Sequence, residues 1–74
     1  MPFVSVKVIQ GVFTPDQKHA MVERLTDTLV DIEGEAMRGV TTVVIEEVAS
    51  GDWGIGGKPL TTDDVRALAA GVPA

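Results

Sequence analysis

Pro2-Phe3-Val4-Ser5-Val6-Lys7-Val8-Ile9, and the run that follows from Thr14 to Gly34, decide how this chain folds. In the first stretch Val4, Val6 and Val8 alternate with Phe3, Ser5 and Lys7. That period of two, rich in β-branched residues, predicts a half-buried strand closed by Gln10 and Gly11. In the second stretch Thr14 is a favourable N-cap, Pro15 suits the first helical position, and Gln17 stands where a capping box needs it. Met21, Val22, Leu25, Leu29 and Ile32 then recur on one face of a helix over Pro15 to Ile32, and Gly34 supplies the stop. His19 lies off that stripe and is expected at the surface. Val40 to Glu47 is again β-branched and bounded by glycine, which predicts a second strand.

The lengths fix how these pieces connect. A helix over Pro15 to Ile32 is ~27 Å long at ~1.5 Å per residue, and a strand over Pro2 to Ile9 is ~26 Å at ~3.3 Å per residue. The helix therefore carries the chain back along the whole strand, and the two strands run parallel in a β-α-β unit. Gly51-Asp52-Trp53-Gly54-Ile55-Gly56-Gly57 reads as a glycine-rich turn carrying the only tryptophan. A short C-terminal helix follows, capped by Thr61 or Thr62, with Val65 and Leu68 as its apolar stripe and Gly71 with Pro73 at its end. The class is α+β, with residues 1–74 as a single domain.

Composition says what such a unit needs. Seventy-four residues make a chain that buries only about 60% of its unfolded surface, a marginal core. There is no cysteine and one histidine, so disulfides, thiolate zinc sites and an all-histidine metal site in one chain are excluded. Yet 45% of residues are hydrophobic and the mean hydropathy is +0.22. Two parallel strands under one helix leave an open sheet face and open edges, so association with further copies is the expected remedy. Six basic against eleven acidic residues give a net charge of −5. That argues against nucleic acid and against anionic membrane surfaces. No apolar run is long enough to span a bilayer and no secretory pattern opens the chain, so the expected location is cytoplasmic.

Common catalytic patterns fail here. A phosphate loop ending in Gly57-Lys58 would need glycine at Asp52 and a hydroxyl residue at Pro59. A dinucleotide fingerprint beginning at Gly54 meets Pro59 where its last glycine belongs. No G-x-S-x-G elbow accompanies His19. What remains is Pro2. A small residue after Met1 favours removal of the methionine, which would expose a secondary amine at the start of a strand. A free α-amine titrates near ~7.7–8.0, and desolvation lowers that value, which makes it a base at neutral pH.

Met1-Pro2 before a strand, then Gly11, Thr14-Pro15-Asp16-Gln17-Lys18, Val43-Val44-Ile45-Glu46-Glu47 and Gly51-Asp52-Trp53-Gly54-Ile55-Gly56-Gly57, in that order and spacing, resemble the 4-oxalocrotonate tautomerase family. The likeness runs from about Pro2 to Gly57. It implies a tautomerase-like β-α-β subunit in a homo-hexamer, a trimer of dimers. It implies an isomerase with Pro2, freed of Met1, as general base on a small enol or keto acid or ketone. No cofactor or metal is implied. Trp53 falls where the family places an aromatic pocket wall, and Ile9 falls at the strand end that lines the pocket.

The resemblance also implies an arginine after the glycine that ends the first strand, where this chain has Val12, and another in the second strand, where it has Thr42. Arg38, just ahead of that strand, is the replacement candidate for substrate binding, with Lys7 and Lys58 behind it. Two alternatives stand beside the isomerase. One is a non-catalytic oligomeric binding unit of the same fold. The other is hydratase or dehalogenase chemistry using Glu46, Glu47 or Asp52 to activate water in the same pocket.

Overall fold

The computed structural model describes residues 1–71. Its elements are β1 (Phe3–Ile9), α1 (Pro15–Glu33), a 3-10 helix (Glu35–Val40), β2 (Thr42–Val48), β3 (Trp53–Ile55), β4 (Lys58–Leu60) and α2 (Thr62–Ala69). Strands β1 and β2 pair. At one end the Thr42 N–H donates to the Pro2 carbonyl at 3.2 Å, and at the other the Gln10 N–H donates to the Val48 carbonyl at 2.8 Å. Both partners advance together, so the pair is parallel and the β-α-β unit is present.

Local chemistry starts and stops α1 where the sequence reading puts it. The Gln17 N–H donates to Thr14 Oγ1 at 3.1 Å, and the Thr14 N–H donates to Gln17 Oε1 at 2.9 Å, a complete capping box. The Gly34 N–H closes the helix on the Val30 carbonyl at 2.8 Å, with Gly34 at φ 106. The second strand, expected from Val40, begins instead at Thr42 and runs one residue past Glu47. The reason lies just ahead of it. Glu35–Val40 coil into a 3-10 helix, with the Met37 N–H on the Gly34 carbonyl at 3.1 Å and the Thr41 N–H on the Arg38 carbonyl at 3.3 Å. Thr41 Oγ1 seals the turn, donating to the Met37 carbonyl at 2.9 Å and bonding the Glu33 carboxylate.

The glycine-rich segment is also corrected. It is the first half of a β-hairpin, with Trp53 opposite Leu60, Gly54 opposite Pro59 and Ile55 opposite Lys58. Gly56 and Gly57 form the two-residue loop at φ 60 and φ 82. Positive φ at both loop residues is what a tight hairpin of matching twist requires. In α2 the N-cap is Thr61 rather than Thr62. Pro73, read as part of that helix's end, lies outside the described residues.

The described residues form two compact units. One joins Met1–Val6 to Thr14–Glu46. Val30 is buried there, and Val4, Val6, Met21, Val22, Leu25, Leu29, Val43, Val44 and Ile45 are half-buried around it. Ile32, on the predicted apolar stripe of α1, is instead 81% exposed in the single subunit. The other unit joins Lys7–Phe13 to the residues from Glu47 onward. Its buried residues are Val8, Ile9 and Leu60, with Val48, Trp53 and Val65 half-buried.

Candidate active-site groove

The unit that holds the end of β1, the hairpin and α2 contains an apolar groove. Ile9, the last residue of β1, is buried at its base beside Val8. Trp53 opens β3 and faces Leu60 across the hairpin, so a buried leucine backs the indole. Phe13, Ile55, Val65, Leu68 and the side chain of Lys7 complete the lining of a cavity of about 380 Å³. Lys7 is the one ionisable side chain among these lining residues. On the other flank of Trp53, a cleft of about 330 Å³ is lined by Lys7, Val48, Asp52, Trp53 and Gly54. A space of the first kind takes a small hydrocarbon body, and Trp53 presents a flat apolar wall to it.

Helix α2 forms one wall of the groove, and polar bonds fix its start. The Asp64 N–H donates to Thr61 Oγ1 at 3.2 Å and the Thr61 N–H donates to Asp64 Oδ2 at 2.9 Å. That backbone N–H, and then the Thr61 hydroxyl, hold the Asp64 carboxyl below the ordinary aspartate range. Thr62 donates its N–H to Ser50 Oγ at 2.9 Å and its hydroxyl to the Gln10 carbonyl at 2.6 Å. Arg66 Nη2 donates to the Gly11 carbonyl at 2.7 Å. The sequence reading had no means of singling out Arg66, because its partner lies 55 residues away in the chain.

The other predicted site residues belong to the first unit. Pro2 is half-buried just ahead of β1, and its carbonyl is tied to the Thr42 N–H. Met1 is 90% exposed. Arg38 is engaged on both sides. Its Nε donates to Glu35 Oε1 at 2.8 Å, its Nη2 to Glu35 Oε2 at 3.3 Å, and its Nη1 to Asp27 Oδ1 at 2.8 Å. Hydrogen bonds from Glu35 and then Asp27 push the guanidinium above its ordinary value, while Arg38 draws the Glu35 carboxyl down. Two carboxylates thus hold the cation that was the substrate-binding candidate. Of the acidic candidates, Glu46 accepts a bond from the Ser5 hydroxyl at 3.4 Å. Glu47 is exposed, as are Glu46 and Asp52, and so is His19.

Among the described residues no three His, Cys, Asp or Glu side chains are grouped to hold a metal ion. No described helix is long and apolar enough to cross a membrane.

Comparison with known proteins gives consistent matches. Residues 2–63 match the family model for tautomerase enzymes. The chain is 38% identical over 61 residues to a probable tautomerase of Dickeya dadantii, spanning 82% of this chain and 90% of that protein. It is 40% identical over 57 residues to the 2-hydroxymuconate tautomerase of Pseudomonas putida, spanning 77% of this chain and 87% of that one. Among solved structures, a 4-oxalocrotonate tautomerase isozyme of Methylibium petroleiphilum matches with a TM-score of 0.69 and 28% identity, covering 86% of this chain and 97% of that one.

Proposed function

The chain belongs to the tautomerase family, and from that premise we propose that this isomerase uses Pro2, once Met1 is removed, as a general base on a small enol or keto acid or ketone. The observation that carries the proposal is the position of Pro2. The family match begins at that residue, and its backbone is anchored to Thr42 at the head of β1. Met1 stands 90% exposed, within reach of processing. A free proline nitrogen walled in by apolar side chains of neighbouring subunits would lose hydration that its charged form needs, which favours the neutral base near pH 7. The amine takes the enol hydroxyl proton and, as the ammonium form, returns a proton to carbon. The product is the keto isomer and the base is regenerated with no cofactor.

Ile9 and Trp53 form the apolar wall for the substrate's hydrocarbon part, in a homo-hexamer built as a trimer of dimers whose neighbouring subunits complete each site. Arg38 is left out of this reading, since Glu35 and Asp27 take three of its five donors and balance its charge. Two measurements test it. Intact mass of the protein from its host should fall short of the full chain by one methionine. Pro2→Ala should then lower the rate of ketonisation of phenylenolpyruvate by about 10²–10⁴-fold, the range typical of general bases. A retained Met1, or unchanged turnover in Pro2→Ala, would refute the proline base.

A further inference from the structure

Resting on that reading of the groove, we propose that α2 is its specificity wall, with Val65 and Leu68 limiting how bulky a hydrocarbon part the substrate can carry against Ile9 and Trp53. Val65 and Leu68 stand three residues apart in α2 and so share one face of it. Both line the same cavity as Ile9 and Trp53. The stretch that matches the family model ends at residue 63. The wall therefore lies beyond what family membership accounts for.

A wall selects by size only if it holds still. Helix α2 has eight residues, too few to be stable by itself, and it is fastened to the segments that carry the facing walls. The Thr62 hydroxyl on the Gln10 carbonyl and Arg66 Nη2 on the Gly11 carbonyl, at 2.6 and 2.7 Å, tie it to the two residues that follow Ile9. The Thr62 N–H on Ser50 Oγ, at 2.9 Å, ties it three residues ahead of Trp53. All of these residues belong to the same compact unit. The cavity they hold open is about 380 Å³, near the lower end of the ~300–1,000 Å³ usual for small-molecule sites. Val65 is half-buried, whereas Leu68 is 49% exposed at the rim. Leu68 can thus be shortened or enlarged with little loss of buried contact. A misfit of one methylene in an apolar pocket discriminates by about 10–200-fold.

Trp53, the only tryptophan, reports on the groove by its own fluorescence. The test titrates the full-length protein with benzyl alcohol and with 4-tert-butylbenzyl alcohol, two uncharged probes that differ only in bulk. Wild type should bind the bulkier alcohol no more tightly than the smaller, although its extra carbons favour burial. Leu68→Ala should shift the preference toward the bulkier alcohol by about tenfold or more, and Val65→Ala should shift it the same way. Leu68→Phe should shift it the opposite way. Turnover of 4-tert-butylphenylenolpyruvate relative to phenylenolpyruvate should follow the binding preference in each variant.

An unchanged preference in Leu68→Ala would overturn the wall. A shift in the same direction in Leu68→Ala and Leu68→Phe would overturn it as well, since Leu68 would then only hold α2 in place. So would a wild type whose fluorescence responds to neither alcohol, because the groove would then be closed to small molecules. A preference that changes in binding but not in turnover would remove the groove, and the wall with it, from substrate selection. The titrations need no turnover, so they read the wall whether or not Pro2 is the base, and unchanged turnover in Pro2→Ala would touch the base alone.

Discussion

Gly11 shows how much one backbone position carries in this chain. It turns β1 out of the sheet at φ +83, and a Cβ added there would stand 3.2 Å from Thr62 Cγ2 and 3.5 Å from Arg66 Nη2. Left-handed backbone costs a non-glycine residue about 1–3 kcal/mol, and here the added methyl also presses on the residues that hold α2. Gly11→Ala should therefore destabilise the protein by at least that range in urea unfolding. Gly39 is the control. It lies inside the 3-10 helix without positive φ, and nothing approaches its built Cβ within 4 Å. Gly39→Ala should be neutral or stabilising by about 0.4–1 kcal/mol. Equal effects at the two sites would refute the steric account. At this scale the sequence was informative where the order and spacing of its motifs matched a family. Trp53 and Ile9 were expected at a pocket from the family resemblance, and the fold puts both in one groove. The bond of Arg66 to the Gly11 carbonyl was invisible because the fold alone brings these residues together, and so were the bonds of Arg38 to Asp27 and Glu35.

Among the elements, legibility followed length and local capping. α1 spans 19 residues with a capping box, so periodicity and end signals agree on it. The hairpin strands have three residues each and contain Gly54 and Pro59, which leaves no alternation to count. Their one usable signal was Gly56-Gly57 between two short runs, a pair that suits a two-residue hairpin loop. Helix α2 has only eight residues and depends on its cap, whose charged member is Asp64. The Thr61 N–H and hydroxyl depress the folded pKa of Asp64. A depressed carboxyl contributes stability that is present above its unfolded value of about 3.9 and is lost as pH falls through the folded value. Wild type should therefore exceed Asp64→Ala in α2 amide protection at pH 6. That advantage should persist down to about pH 4 and disappear below it. An advantage independent of pH down to pH 2 would show that the carboxylate charge is not what holds this end of α2.

At the scale of the whole molecule, the described residues leave large apolar side chains in water. Phe3 is 67% exposed, Ile32 81% and Ile55 62%, while four hydrophobic residues count as buried. Phe3 lies on the face of β1 opposite Val4 and Val6, and Ile32 is where the apolar stripe of α1 emerges at its last turn. Scattered exposed hydrophobics are ordinary on a large protein. On 74 residues with no disulfide they are a large share of the apolar content, and the core left behind is too small to be comfortable alone. The hexamer proposed above would resolve both problems by covering these residues and completing the open sheet. Sedimentation of the wild type should therefore give about six times the 7.8 kDa subunit mass at micromolar concentration. Phe3→Glu and Ile32→Glu each bring a charge to a face that assembly would cover, where an unpaired carboxylate is costly. Each should shift the distribution to smaller species, lower the melting temperature, and make that temperature rise with protein concentration. Ketonisation should fall in parallel with the hexamer fraction if, as proposed, neighbouring subunits complete the site. A wild type that sediments as a 7.8 kDa monomer with full ketonisation activity would overturn the assembly. Glutamate variants that remain hexameric would instead place these two side chains outside the interfaces.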